Sequence, residues 1–178
     1  MKNFFSFKKS SSQRGFTLIE LLVVIGILGI LAAALIATID PFEQLKKAND
    51  ANVKNTAVEY VDANIRFFTT HNQMTWDFDT TCAGGNPPVA SSLGANGLTS
   101  CLTDLVADGE IKAAFTTATG LLTSIIVTGG TDSVTACFLP TSKSGQRDAN
   151  ARYSASGIII NTCPVTNPGG TTCYWCSL

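Results

Sequence analysis

The sequence predicts an α+β fold in which a long N-terminal helix packs on a small antiparallel β-sheet. An almost unbroken apolar run fills residues 16–39, and apolar side chains then recur at helical spacing to residue 68. The remainder, residues 69–178, holds all six cysteines and alternates β-rich runs with Gly- and Pro-rich turns. We therefore expect a basic leader over 1–15, a membrane-length helix over 16–39, an amphipathic half over 40–68 and a disulfide-bonded head over 69–178.

The charges of the chain are few and unevenly distributed. Only 14% of the 178 residues are charged, whereas 45% are hydrophobic. The leader carries four cations and no acid, so its loss changes the formal net charge from −1 to −5. An acidic remainder argues against nucleic acid as the main partner, although it leaves such binding open.

The apolar run has the length of a membrane-spanning helix. Residues 21–39 contain one polar side chain, Thr38, and about 20 residues cross the hydrocarbon core. Because the uncompensated basic residues precede the run, we expect the N-terminus in the cytoplasm and the cysteines outside. The alternative, a secretory signal peptide, has an apolar core of about 7–15 residues and no internal carboxylate.

Glu20 is the one acid within this run. Because Glu20 is near the membrane interface, its side chain could simply extend towards water. Its charge would then cost less free energy than a charge at the helix centre. A cut between Gly15 and Phe16 would give it a partner, because a free α-amino group is mostly protonated at neutral pH. That cation would lie one helical turn from Glu20, and neighbouring chains could satisfy one another's charges in a bundle.

The hexapeptide Gly-Phe-Thr-Leu-Ile-Glu at 15–20, after a short basic leader and before an apolar helix, resembles the class III signal of type IV pilins and type II secretion pseudopilins. The resemblance implies cleavage after Gly15 by a prepilin peptidase, N-methylation of Phe16 and a docking role for Glu20. It implies a structural protein without catalytic residues, metal or cofactor. Many type IV pilins carry a proline where this chain has Ala37, and here Pro41 follows instead.

The resemblance also implies partners and a location. The precursor would be a single-pass protein of the cytoplasmic membrane. The mature chain would join copies of itself and related pilins, through the pilus assembly machinery, in an extracellular pilus or a periplasm-spanning pseudopilus. Small residues recur along one face of the apolar helix, where helix backbones could approach closely. They are Gly26, Gly29, Ala33 and Ala37.

A second helical segment is predicted to begin at Pro41. Asp40 suits the N-cap, Pro41 the first helical position and Glu43 the third. Apolar residues then recur at three- and four-residue steps and predict the face packed on the head. They are Leu45, Ala48, Ala51, Val58, Val61, Ile65 and Phe68. The opposite, solvent-facing side is expected to carry Lys47, Asp50, Lys54 and Glu59.

The head begins with a predicted loop over 69–97, pinned to the core by Trp76 and Phe78. A short helix is predicted to begin at Thr99 and to end near Asp108 and Gly109. The β-rich runs at 121–127 and 133–139 flank a turn and predict a hairpin. Two more strands are expected, at 153–162 and 173–176.

Six cysteines beyond a membrane-length helix indicate disulfides in an oxidising compartment, with fifteen possible connectivities. We expect Cys82–Cys101 to tie the loop to the short helix, Cys137–Cys176 to join two strands, and Cys163–Cys173 to close the Pro/Gly loop. An alternative uses Cys173-x-x-Cys176 as a redox pair, which would make the chain a membrane-anchored thiol oxidoreductase. The same motif could instead be half of a zinc site, which would want a second close pair.

Other functional signals are weak. His71 lies in a polar stretch without an evident partner, and we expect it at the surface. Lys143, Arg147 and Arg152 form a thin basic cluster that suits a solvated loop or, alternatively, a DNA-uptake module. Residues 164–172 contain no carboxylate, which argues against the calcium loop common in major pseudopilins.

Overall fold

The structure is a computed structural model that describes residues 15–38, 40–95, 98–163 and 172–177, with only the backbone of Ala37. The chain divides into two compact units, Met1–Pro41 and Phe42–Leu178, and each is described by itself. The first unit contains helix α1, and the second contains a helix followed by a five-stranded antiparallel sheet. The predicted α+β class is confirmed.

The helices are α1 (Leu18–Thr38), α2 (Pro41–His71), α3 (Thr75–Phe78), α4 (Leu98–Ala107), α5 (Ala113–Thr116), α6 (Thr119–Leu122) and α7 (Lys143–Gln146). The strands are β1 (Ser91–Ser92), β2 (Ile125–Gly129), β3 (Val134–Phe138), β4 (Ala151–Tyr153) and β5 (Tyr174–Ser177). Helix α2 begins at the predicted proline, whose fixed φ and missing N–H suit the first helical position.

The sheet has the strand order β1-β2-β3-β5-β4, and every neighbouring pair is antiparallel. The predicted hairpin is confirmed as β2 and β3, in a register that pairs Ile125 with Phe138 and Gly129 with Val134. Its first strand starts later than predicted because residues 119–122 form α6. The final strand is also confirmed, and the chain enters it between β3 and β4.

Two sheet elements differ from expectation. Only the start of the predicted strand at 153–162 belongs to the sheet, because a turn containing Gly157 at φ 78° folds the chain back. Ile159 then forms an isolated bridge with Tyr153. Strand β1 lies inside the predicted loop and was missed, since two serines carry no β-propensity signal.

The face of α2 that packs on the head was predicted only in part. The residues buried along α2 are Glu43, Asp50, Val53, Ala57, Tyr60, Val61, Ala63, Asn64 and Phe67. Of the seven apolar residues predicted for this face, Val61 is buried, Val58 and Phe68 are partly buried against the core, and Leu45 is 67% exposed. Carboxylates, rather than apolar side chains, face the head along the first turns of α2. Asp50, predicted to face solvent, is therefore buried there, with Glu43 beside it.

The core of the head lies between α2, α4 and the sheet. Trp76 is fully buried and donates from Nε1 to the carbonyl of Gly130 at 3.1 Å. A Cβ at Gly129 would lie 2.7 Å from atoms of both Trp76 and Pro88, so this strand end has room only for glycine. Trp76 pins the loop as predicted.

Phe78 and His71 behave differently from expectation. Phe78 remains 53% exposed, although it packs edge-on against Phe67 with ring centroids 5.4 Å apart. The ring of His71 stacks on Phe67 at 4.1 Å, and its Nε2 lies 3.6 Å from Asp108 Oδ1. His71 therefore has both an aromatic and an acidic partner, which sequence separation had hidden.

Candidate functional site

The start of α1 is organised by Thr17 and Glu20. Glu20 Oε2 accepts hydrogen bonds from the backbone N–H and the hydroxyl of Thr17, both at 2.8 Å. In return, Thr17 Oγ1 accepts from the backbone N–H of Glu20 at 3.2 Å. This reciprocal capping box satisfies two donors that a helix start otherwise leaves unpaired. In the sequence, Thr-x-x-Glu before an apolar run is the pattern that indicates such a capping box.

Phe16 and Glu20 lie close together at this helix start. Both line one apolar hollow, together with Ile19, Val23 and Val24. The side chain of Phe16 is 88% exposed. Because the Glu20 carboxylate already accepts from the backbone N–H of the next residue, Thr17, a new amino group at residue 16 would arise near it, at the positive end of the helix dipole.

The surface of α1 is apolar and exposed throughout its described length. Residues 18–36 are long and apolar enough to cross a membrane. A Cβ built on Gly26 or Gly29 meets nothing within 4 Å, so both positions are open to a neighbouring helix. Ala33 is exposed, whereas the side chain of Ala37 lies outside the described residues.

The head is cross-linked by three disulfides, Cys82–Cys101, Cys137–Cys176 and Cys163–Cys173. These are the pairs named from the sequence. The bond between 137 and 176 joins directly opposed residues of β3 and β5. Because Cys173 and Cys176 are bonded to different partners, they do not form the redox pair that the thiol oxidoreductase alternative requires.

Metal and nucleic-acid signals are weak here too. No group of three or more His, Cys, Asp or Glu residues that could hold a metal occurs within the described part of the chain. Of the segment examined for a calcium loop, residues 164–171 lie outside that part. Lys143, Arg147 and Arg152 are all exposed, and the guanidinium of Arg152 lies 5.8 Å from the centre of the Tyr153 ring.

A second set of polar contacts, which the sequence did not indicate, fixes α2 to the head. Asp50 accepts from the backbone N–H groups of Thr141 at 2.9 Å and Ser142 at 2.9 Å. It also accepts from both hydroxyls, at 2.8 and 2.6 Å. Glu43 accepts a hydrogen bond from the backbone N–H of Lys143. Two carboxylates thus bind one loop across more than 90 residues of sequence.

Comparison with known proteins gives one match. No curated protein and no solved structure matches the chain. The prokaryotic N-terminal methylation motif matches residues 10–36, which include the proposed cleavage site, the capping box and most of α1. The chain therefore carries the class III N-terminal methylation signal of the type IV pilin and pseudopilin family, whose members are in general structural rather than enzymatic proteins.

Proposed function

We propose that this chain is a structural subunit of a helical surface filament, made as a membrane-anchored precursor, cleaved after Gly15 and N-methylated on Phe16. The observation that carries the proposal is the methylation motif at residues 10–36, followed directly by an exposed apolar helix. A prepilin peptidase and the assembly machinery are the partners that this processing requires.

The exposed surface of α1 supports two successive environments for the same helix. In the single subunit, lipid covers the apolar residues 18–36. In the filament, α1 helices from neighbouring copies cover one another, and Gly26 and Gly29 permit close backbone contact. Moving from lipid into such a bundle withdraws Glu20 from the interface, so its charge then needs a partner.

Cleavage supplies that partner. In the precursor, residue 16 contributes a neutral amide, whereas the mature chain ends there in an ammonium group. An unpaired buried charge costs several kcal/mol, on the order of 3–5 when one partner of a buried pair is removed. Glu20 is the one acid between residues 1 and 39. Processing therefore creates the charge that Glu20 of the same or a neighbouring copy neutralises.

The test is to image cells with and without this chain and to identify the main protein of sheared surface filaments. We expect wild-type cells to carry filaments built mainly of a chain that begins at residue 16, and cells without it to lack them. A mature chain confined to the cell envelope, together with loss of secreted enzymes in the deletion strain, would instead assign it to a secretion pseudopilus.

A further inference from the structure

A groove in the head lies between the first half of α2 and the segment that follows β3. It has a volume of about 230 Å³. Phe138, Pro140 and Trp175 give it an apolar lining, while Lys47 and Lys54 supply two cations from α2. The Lys54 ammonium lies 4.7 Å from the centre of the Trp175 ring. The groove therefore combines an apolar surface with positive charge.

The two lysines are left without a countercharge by the way α2 is fixed to the head. Asp50 is three residues after Lys47 and four before Lys54, the spacing at which helix ion pairs form. Its carboxylate instead faces Thr141 and Ser142, whose N–H and O–H groups occupy both oxygens. In the described part of the chain, neither lysine forms an ion pair.

One carboxylate, Asp148, also lines the groove. Its Oδ1 accepts from the backbone N–H of Asn150 at 2.8 Å, and in the described part of the chain it forms no ion pair with either lysine. Beyond the leader the sequence has eight Lys and Arg residues. Five of them lie on the two segments that flank the groove, and a sixth lies in β4 directly after the second segment: Lys46, Lys47, Lys54, Lys143, Arg147 and Arg152. The positive charge of the mature chain is thus concentrated at this end of the head.

An acidic surface lies at the other end of α2, on α3 and α4. Asp77 is exposed on α3, and Asp79, directly after that helix, accepts hydrogen bonds from the backbone N–H and the hydroxyl of Thr81 at 2.9 and 2.5 Å. Burial, together with the charge of nearby Asp79, raises the pKa of Asp104. Asp108, further along, contacts His71 in the last turn of α2. Phe78 of α3 packs on Phe67, which is 13 residues from Lys54, or about 20 Å along a helix, and Lys47 is farther still, so the acidic surface does not reach the groove of its own chain.

We propose that the groove receives the acidic surface of α3 and α4 from a second copy of this chain. Lys47 and Lys54 would then pair with Asp77 and Asp79 of that copy. This inference rests on the proposed function and names the contact between neighbouring heads. Because the two surfaces differ, each copy keeps one free, and head-to-tail contacts of this kind generate open helical arrays.

Charge reversal in the full chain tests the pairing. We expect K47E/K54E, and separately D77K/D79K, to lower the yield of sheared filament at least tenfold without lowering the mature chain in the membrane. The combined variant should recover most of the wild-type yield. K112E, which reverses an exposed cation away from the groove, is the matched control. Wild-type yield from K47E/K54E, or no recovery in the combined variant, would overturn the proposal.

A second measurement does not depend on variants. A carbodiimide joins lysine ammonium and carboxylate groups only when they touch, and peptide mass spectrometry locates the bonds. We expect links from Lys47 or Lys54 to Asp77 or Asp79, which the separation of about 20 Å or more along α2 makes intermolecular. Their absence from assembled protein would contradict the proposal. If wild-type cells make no filaments, the proposed function fails. The same lysine–aspartate links, measured between copies held in the membrane, would still test whether the groove binds the acidic surface.

The groove could instead hold nucleic-acid phosphates, and the variants separate the two ligands. If purified wild-type chain binds duplex DNA and K47E/K54E abolishes that binding while filaments assemble normally, the groove is not a contact between copies.

Discussion

Thr17 and Glu20 hold each other at the start of α1: the Glu20 carboxylate accepts two hydrogen bonds from Thr17, and the Thr17 hydroxyl accepts one from Glu20. Glu20 therefore has a local role before any assembly takes place. Glutamine offers an amide oxygen that can accept the hydrogen bonds of a capping box, but it carries no charge. Substitutions at residues 17 and 20 can thus separate capping from charge.

Thr17→Val should loosen the first turn of α1 without changing any charge. Valine has nearly the shape of threonine but cannot cap, and losing a cap costs about 1 kcal/mol. We expect amide hydrogen exchange at Glu20 and Leu21, whose N–H groups bond to Thr17, to become roughly fivefold faster in detergent micelles, as about 1 kcal/mol implies. Thr17→Ser retains the hydroxyl and should exchange like wild type. Equal protection in the valine variant would show that the capping box contributes nothing.

The mature chain should begin at Phe16 and carry one added methyl group. The basic leader, Gly15 and the methylation motif at residues 10–36 support a cut there. Intact mass and N-terminal sequencing of membrane protein measure it directly. Gly15→Leu should leave a full-length precursor held in the membrane. A start between residues 34 and 38 would indicate an ordinary signal peptide and would contradict the processing described above.

Removing the bond between Cys137 and Cys176 by a double serine substitution should destabilise the head more than removing either other disulfide. It closes the longest loop, with a sequence separation of 39 compared with 19 and 10. The chain-entropy relation gives about 4 kcal/mol for it and about 3 kcal/mol for each of the others. Denaturant unfolding of the three double variants tests this order, and non-reducing peptide mapping should recover the same three pairs.

Asp50 should make the head sensitive to acid. Burial opposes its charge, but the hydrogen bonds from Ser142 and Thr141 prevail and lower the pKa of the carboxyl. Because the folded pKa is below the unfolded value of 3.8, the stabilisation is complete above that pH and is lost as the pH falls through the folded pKa. Asp50→Asn should therefore unfold more easily at pH 7, by about 2 kcal/mol, since two donors lose their acceptor.

The difference between the Asp50→Asn variant and wild type should shrink as the pH falls from 3.8 through the lower folded pKa, where the carboxyl of the folded chain becomes protonated. Unfolding of the full chain in detergent, followed by the fluorescence of the two buried tryptophans, measures it. Asp62→Asn, at an exposed position of the same helix, is the control and should match wild type. A constant difference down to pH 2 would mean that the charge of Asp50 does not stabilise the fold.

Local signals predicted much of this structure. The apolar run, Pro41 and the turn between β2 and β3 are signals that depend only on neighbouring residues in the sequence. Each of the three corresponding elements is where it was expected. The face of α2 was not predictable in this way, because it depends on what the loop at 141–143 presents to it. That loop offers N–H and O–H donors, so Asp50 is buried and Leu45 is left exposed. The site at residues 15–20 was recognised by residue order, but its hydrogen bonds required the backbone.

The most direct test of the charge-pairing account compares membrane-bound mature subunit with sheared filament for wild type, Glu20→Gln and Glu20→Asp. All three should be cleaved and should reach the membrane in similar amounts, since lipid insertion does not require the charge. Glu20→Gln should lose filaments at least tenfold, although it can still cap α1. Glu20→Asp, which keeps the charge but is one methylene shorter, should be intermediate. If Glu20→Gln assembles as well as wild type, Glu20 serves only as a helix cap at the interface, and charge pairing with residue 16 does not drive assembly.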